Sequence, residues 1–269
     1  MFYGVYVDAS VPDNRVLRIH AIKLVAPPHA VVCDCSASWL YGVDAFRPSD
    51  RFLMRPSLVV PHGSTRVTYA GVDCREAYID PSDVLEIDSL LITSPIRTTV
   101  DLMRKLWRPY ALAAADGMTR AGLVSTAQVF EFVRRLRGFP GVVQARQLMK
   151  YIDPGAESPG ESWTRLRLLD AGFPRPETQI VLPDQDGREI ARLDIGYRDR
   201  LIAIEYDGRE FHTADDDRAH DERRRAYLTD ALGWRFEVAN SDSVLGDEPA
   251  LERRLGELLE LEPRLPRCW

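Results

Sequence analysis

The stretch LDIGYRDRLIAIEYDG, Leu193–Gly208, sets Asp194, Glu205 and Asp207 inside two runs that otherwise read as buried β-strand. The short polar "RDR" between the runs predicts a tight hairpin, which places Asp194 and Glu205 a few residues from the turn on adjacent strands. Their side chains then face one point. Asp207 follows Glu205 at i+2 and so lies on the same face, and Gly208 allows a sharp exit. The run "LIAI" before Glu205 reads as covered on both faces, so a carboxylate there needs a counter-charge: a metal ion or a buried salt bridge.

Working outward, "SPGESWTRLRLLDAG" predicts a helix with Ser158 as N-cap, Pro159 at its first position, Glu161 in its first turn and Gly172 at its end. Glu161 either complements the helix dipole or supplies a further oxygen to the acid pair. Strands are predicted at "TQIVLPD", "EIARLDIGYR" and "RLIAIEYDG", with Asp194 ending the run "EIARLD". An acidic-to-basic helix follows at "ADDDRAHDERRRAYLTDALG", then a strand at "WRFEVAN" and a helix at "PALERRLGELLELEP". Together they make an α+β arrangement, a short mixed sheet flanked by helices.

Upstream, the Pro-, Gly- and Ser-rich "YIDPGAESPGES" separates a region 1–150 from a region 157–269. The first region reads as mixed α/β. It has a short opening strand at "YGVYVDAS", a helix at "NRVLRIHAIKLVAP", and a strand and helix at "AVVCDCSASWLYGV". Short strands follow at "LVVPHGS", "RVTYAGV" and "SLLITSP". "SPIRTTVDLMRKL" is a helix capped by Ser94, and two more helices follow it. Arg97 and Asp101 stand four apart on that capped helix, where an intrahelical ion pair is expected. No polar constellation comparable to the acid set is legible in 1–150.

With 269 residues, 45% apolar and 28% charged, the chain reads as an ordinary two-domain globular protein. No run approaches the ~20 apolar residues of a membrane span, and no secretory leader is legible, so a cytoplasmic location and no membrane partner are expected. Four scattered cysteines read as reduced structural thiols. A net charge of −6 argues against nucleic-acid binding by the whole surface, while the arginines of "RLRLL" and "DERRRAYL" leave room for a local phosphate-facing stripe.

Residues 157–245 resemble the uncharacterised endonuclease domains related to the very-short-patch-repair (Vsr) enzymes, within the PD-(D/E)XK restriction-endonuclease-like superfamily. The resemblance rests on the helix bearing Glu161, "PRPETQ", the Asp194 strand, "IEYDG", His212, Asp221 with Arg224, and "LGW". It implies a DNA endonuclease with magnesium, or manganese in its place, held by Asp194 and Glu205, and with Glu161 and Asp207 in support. Gln179 stands beside the site, and Arg224 and Arg225 either contact phosphate or pair with acids. The superfamily places a lysine two residues after the second acid; here that position is Asp207, and no lysine follows Lys150. His212 is the natural substitute for holding or deprotonating water, or else a packing residue.

"GVYV", "SASWLYGV" and "ITSPIRTTVDL" resemble the part of AbiEi-antitoxin-like proteins that follows a winged helix-turn-helix. This chain begins almost at that point, so the winged helix is either lost or lies upstream of the assigned start. The resemblance implies DNA as partner, with a homodimer or a targeting protein as further candidates. The rival to the endonuclease is therefore a non-catalytic, antitoxin-type DNA-binding regulator with a degenerate nuclease domain.

Overall fold

A computed structural model describes residues 4–68, 71–208, 215–267 and 269, with backbone alone for 51–53 and 215–222. The chain is α+β, and its contacts divide it into two compact units, Met1–Ile152 and Asp153–Trp269. No helix among the described residues is long and apolar enough to cross a membrane.

The first unit contains α1 (Arg15–Lys23), β1 (Val31–Val32), α2 (Asp34–Leu40), β2 (Ser57–Pro61), β3 (Asp73–Ala77), β4 (Val84–Ile87) and β5 (Leu90–Thr93). Four helices follow: α3 (Pro95–Lys105), α4 (Arg108–Arg120), α5 (Thr126–Arg135) and α6 (Val142–Leu148). The sheet runs β3-β2-β1-β5-β4. Its central strand has only two residues, yet they serve both faces: Val32 joins Ile22, Leu40, Leu58 and Ile92, while Val31 joins Cys33 and Val59. α3 starts as expected, with the Ser94 hydroxyl accepting from the Arg97 amide and Pro95 at the first helical position.

Two expected strands are corrected here. The alternation at Gly4–Val7 finds no ladder among the described residues, and the described residues of "RVTYAGV", 66–68 and 71–72, form no strand. Five consecutive partners on β2, Ser57↔Asp73 to Pro61↔Ala77, select "DCREA" instead. β3 is an edge strand that no residue of it buries fully, so it lacks the apolar run that sequence reading looks for.

The second unit contains α7 (Pro159–Asp170), β6 (Glu177–Pro183), β7 (Glu189–Tyr197), β8 (Ile202–Asp207), α8 (Asp215–Leu232), β9 (Arg235–Asn240), α9 (Ser241–Leu245) and α10 (Ala250–Leu259). The sheet order is β6-β7-β8-β9, antiparallel through β8 and parallel from β8 to β9, so α8 is the crossover that parallel pairing requires. Ile180, Leu193, Ala203, Leu228 and Trp234 form its core. α7 lies close to β8 because Gly160 has no side chain; a Cβ there would stand 2.1 Å from the Tyr206 ring.

The arginines of "RLRLL" face inward. Arg165 and Arg167 are buried, and Arg167 donates to both oxygens of Glu252 at 2.7 and 2.9 Å and to the carbonyl of Val244 at 2.6 Å. Arg167 thereby pins α7 to the C-terminal helices, and Arg165 faces Asp153 at 3.4 Å, which removes this segment from any phosphate-facing stripe.

Candidate functional site

The β7–β8 hairpin turns through Arg198–Arg200, and its ladder runs Tyr197↔Ile202, Gly196↔Ala203, Ile195↔Ile204. One step beyond the last pair stand Asp194 and Glu205, on the two strands at the point where their ladder ends. Asp194 is therefore inside β7, three residues short of Tyr197, and not at a strand end as its sequence suggested. Alternation turns Tyr206 toward α7 and Glu205 toward α8.

Glu205 is buried, and both of its oxygens are occupied. Arg224 Nη2 donates to Oε1 at 3.1 Å, and Arg225 Nε donates to Oε2 at 2.6 Å. Arg224 also reaches the carbonyl of Arg192 on β7 at 3.4 Å, so the clamp ties α8 across two strands. Both arginines are about a third exposed, and the shared carboxylate is covered.

Glu161 is also buried, and one of its oxygens closes the start of its own helix. The Glu157 amide, one residue before the N-cap, donates to Oε2 at 2.9 Å, while the Ser158 hydroxyl accepts from the Glu161 amide at 3.2 Å. The same oxygen accepts from Gln179 Nε2 at 3.3 Å. Burial pushes the Glu161 carboxyl up, against the pull of those hydrogen bonds.

Gln179 makes its contact from an unusual backbone. It sits mid-strand in β6 opposite Asp194, between the pairs Thr178↔Ile195 and Ile180↔Leu193, with φ at +52°. A non-glycine residue in the left-handed region costs about 1–3 kcal/mol and persists only where its surroundings hold it, often at functional sites.

Asp194 has no direct cationic contact among the described residues. Burial, followed by the charges of Glu161 and Glu205, pushes its carboxyl up to about 6, and Arg224 relieves only part of this. Asp207 stands exposed at the end of β8, aligned with Asn240 of β9, and does not join the cluster. His212 lies outside the described residues, as does the side chain of Asp221. Of the sequence-derived set, the fold brings together Glu161, Gln179, Asp194, Glu205, Arg224 and Arg225.

As it stands, this arrangement does not fit a resident magnesium or manganese ion. Such an ion needs carboxylate lone pairs and room for water, and each Glu205 oxygen already holds a guanidinium group against it. Among the described residues no three His, Cys, Asp or Glu side chains converge as a metal-binding set.

The first unit holds a polar constellation that sequence reading missed. Asp101 on α3 contacts Arg97 at 3.0 Å, Arg104 at 2.9 Å, Lys105 at 3.2 Å and Arg75 of β3 at 3.6 Å. Asp34, which opens α2 with φ at +51°, binds Arg75 at 2.6 Å and Lys105 at 2.7 Å, and Arg97 also binds Asp83 at 2.9 Å. Burial alone would push the Asp101 carboxyl up, but Lys105, Arg97 and Arg104 bring it below its ordinary range. Cys33 lies against this network, 3.1 Å from Arg75, and burial raises its thiol well out of the reactive range. Only the spacing of Arg97 and Asp101 was legible, and it reads as an ordinary intrahelical ion pair.

The family model for the AbiEi antitoxin C-terminal domain matches residues 30–151, which includes this network. Two Mycobacterium tuberculosis proteins, the uncharacterised MT2308 of strain CDC 1551 / Oshkosh and Rv2248 of strain ATCC 25618 / H37Rv, are each 30% identical to the chain over 260 residues. The alignment covers 97% of this chain and 92% of theirs. No solved structure matches the chain.

Proposed function

We propose that this chain, which belongs to the family of the two Mycobacterium tuberculosis proteins, is an antitoxin-type regulatory protein that acts by binding and performs no hydrolysis. Its first unit carries the AbiEi antitoxin C-terminal match, and antitoxin domains work in toxin–antitoxin systems, which supports a protein partner. In this reading the helix, hairpin and crossover of the second unit serve as a scaffold and not as a catalytic site. The observation that carries this reading is the closure of Glu205 by Arg224 and Arg225: the charge a metal would neutralise is already neutralised by the protein.

One observation favours the second reading, a metal-dependent endonuclease. Asp194 lies half-buried beside Glu161 and Glu205 with its carboxyl lifted to about 6, an excess of negative charge that a cation would relieve. That reading requires Arg224 and Arg225 to release Glu205, and it lacks the superfamily lysine.

Titration calorimetry of magnesium and manganese chloride into the full chain, with plasmid nicking assayed on the same preparation, separates the two. The expected result is neither binding nor nicking. Nicking that disappears in folded Asp194→Ala and Glu205→Ala would overturn the proposal and establish the enzyme.

A further inference from the structure

The first helix and the turn after it keep apolar side chains in water. α1 buries Ile19, Ala21 and Ile22 on one side. On the other, Val16, His20 and Leu24 follow one another at i, i+4 and i+8 and stand exposed, Leu24 by 75% and Val16 by 60%. Apolar surface of this kind, rimmed by polar groups, marks an interaction site.

A groove of about 320 Å³ opens where this face ends. Leu24, Val25, Pro27 and Val67 give it an apolar lining, and Arg66 and His29 are the basic residues beside them. Val25 and Val67 also pack against the core of the first unit, so the floor of the groove is part of the fold. The His29 ring bonds the Thr65 carbonyl at 3.0 Å, which holds the chain after α1 against the loop that follows β2.

The free charge around the groove has one sign. Arg15 and Lys23 of α1 and Arg66 of the loop are exposed, and none of them forms an ion pair among the described residues. The acids nearby are taken: Asp13 binds Arg18 at 2.7 Å, while Glu76 holds His62 and accepts from the Gly63 amide at 2.8 Å.

We propose that this groove, with the adjoining face of α1, docks a segment of a partner protein that carries apolar and acidic side chains together. Its volume is close to that of the smallest ligand pockets, roughly 300 Å³, so it seats one or two apolar side chains while α1 carries the rest of the contact. Carboxylates on the same segment meet Arg15, Lys23 and Arg66, which fixes its direction and discriminates against basic segments. An anionic membrane surface asks for the same two properties, but it is flat where the groove is concave, and a net charge of −6 repels it. The inference rests on the binding role proposed above and names the surface that serves it. Metal uptake and nicking, which test that role, involve none of these residues, so either can fail alone.

The test is selection of short random peptides displayed on phage against the immobilised full chain, followed by fluorescence anisotropy of the enriched peptides with wild type and variants. Enriched sequences are expected to combine leucine, isoleucine or phenylalanine with aspartate or glutamate. Leu24→Asp should weaken them about tenfold, and Arg66→Glu about fivefold with a flatter salt dependence. Val143→Asp, at an exposed apolar residue of α6, should bind as wild type does. Circular dichroism confirms that the variants are folded. Enriched peptides without acids, or binding unchanged in folded Leu24→Asp, would overturn the proposal. So would the absence of any enriched peptide, and sedimentation of the chain with phosphatidylserine vesicles would then assign the face to a membrane.

Discussion

Asp101 and Asp194 are chemically identical groups withdrawn from water in two units of one chain, and they titrate in opposite directions. Asp101 is 2% exposed, and four cations surround it, three of them from its own helix at i−4, i+3 and i+4. Asp194 is less buried, yet its neighbours are two more acids, while the arginines within reach bind Glu205. Burial raises both carboxyls; the sign of the neighbouring charge decides the outcome. Identical residue types therefore build a staple in the first unit and leave an uncompensated charge in the second.

The sharpest way to break this comparison is to remove the staple. Asp101→Asn leaves Arg97, Arg104 and Lys105 crowded without their shared anion, and the expected loss is about 3–5 kcal/mol. Urea unfolding of the full chain, with hydrogen exchange to locate the transition, reads it. A loss under ~1 kcal/mol would mean that solvent, and not Asp101, balances those cations. The pH dependence follows from the sign of the shift. The folded carboxyl lies below its ordinary value, so its stabilisation is present above pH ~4 and disappears as pH falls through the folded value.

Next in size is the clamp. Arg224→Ala/Arg225→Ala leaves Glu205 buried beside Asp194 with no counter-charge, at an expected loss of about 2–4 kcal/mol in the second unit. Adding Glu205→Gln to that background should recover most of the loss, because the neutral amide carries no charge to compensate. A double variant as stable as wild type would show that the two arginines are incidental to the site.

Much of that site was legible beforehand, for a local reason. The "RDR" turn fixes the register of one hairpin, and that register alone sets Asp194 opposite Glu205. The Ser94 and Ser158 caps are likewise short-range signals, and both helices start where expected. What escaped was held by distant partners. Lys105 meets Asp34 from 71 residues away. β3 is a strand only because β2 lies beside it. Arg167 looks solvent-facing in "RLRLL" because nothing nearby in sequence announces Glu252.

Asp194→Asn sharpens the comparison from the opposite side, because here the substitution should stabilise. With a folded value near 6 against an ordinary 3.8, the folded state takes up a proton that the unfolded chain releases, and stability falls as pH rises between them. A shift of that size corresponds to at most ~3 kcal/mol, and partial exposure to solvent reduces it to about 1–2. The variant should therefore gain about 1–2 kcal/mol over wild type at pH 8 and nothing at pH 4. An equal gain at both values would assign the effect to packing and not to charge.

The smallest effect concerns the backbone opposite Asp194. In an ordinary strand alanine is more stable than glycine by about 0.5–1 kcal/mol, since glycine loses more freedom on folding. Gln179 reverses the expectation, because its φ of +52° is one that glycine adopts without penalty and alanine does not. Both substitutions remove the hydrogen bond to Glu161, so their difference isolates the strain. Gln179→Gly should exceed Gln179→Ala in stability by about 1 kcal/mol, measured as the gap between their urea midpoints at equal slope. Alanine as the better residue would mean that β6 relaxes to an ordinary strand once the amide is gone. In that case the contact with Glu161 is what bends the chain. Glycine as the better residue would instead show the bend to be built into the sheet, with the Gln179 amide aimed at the acid cluster by a backbone that holds its shape without it.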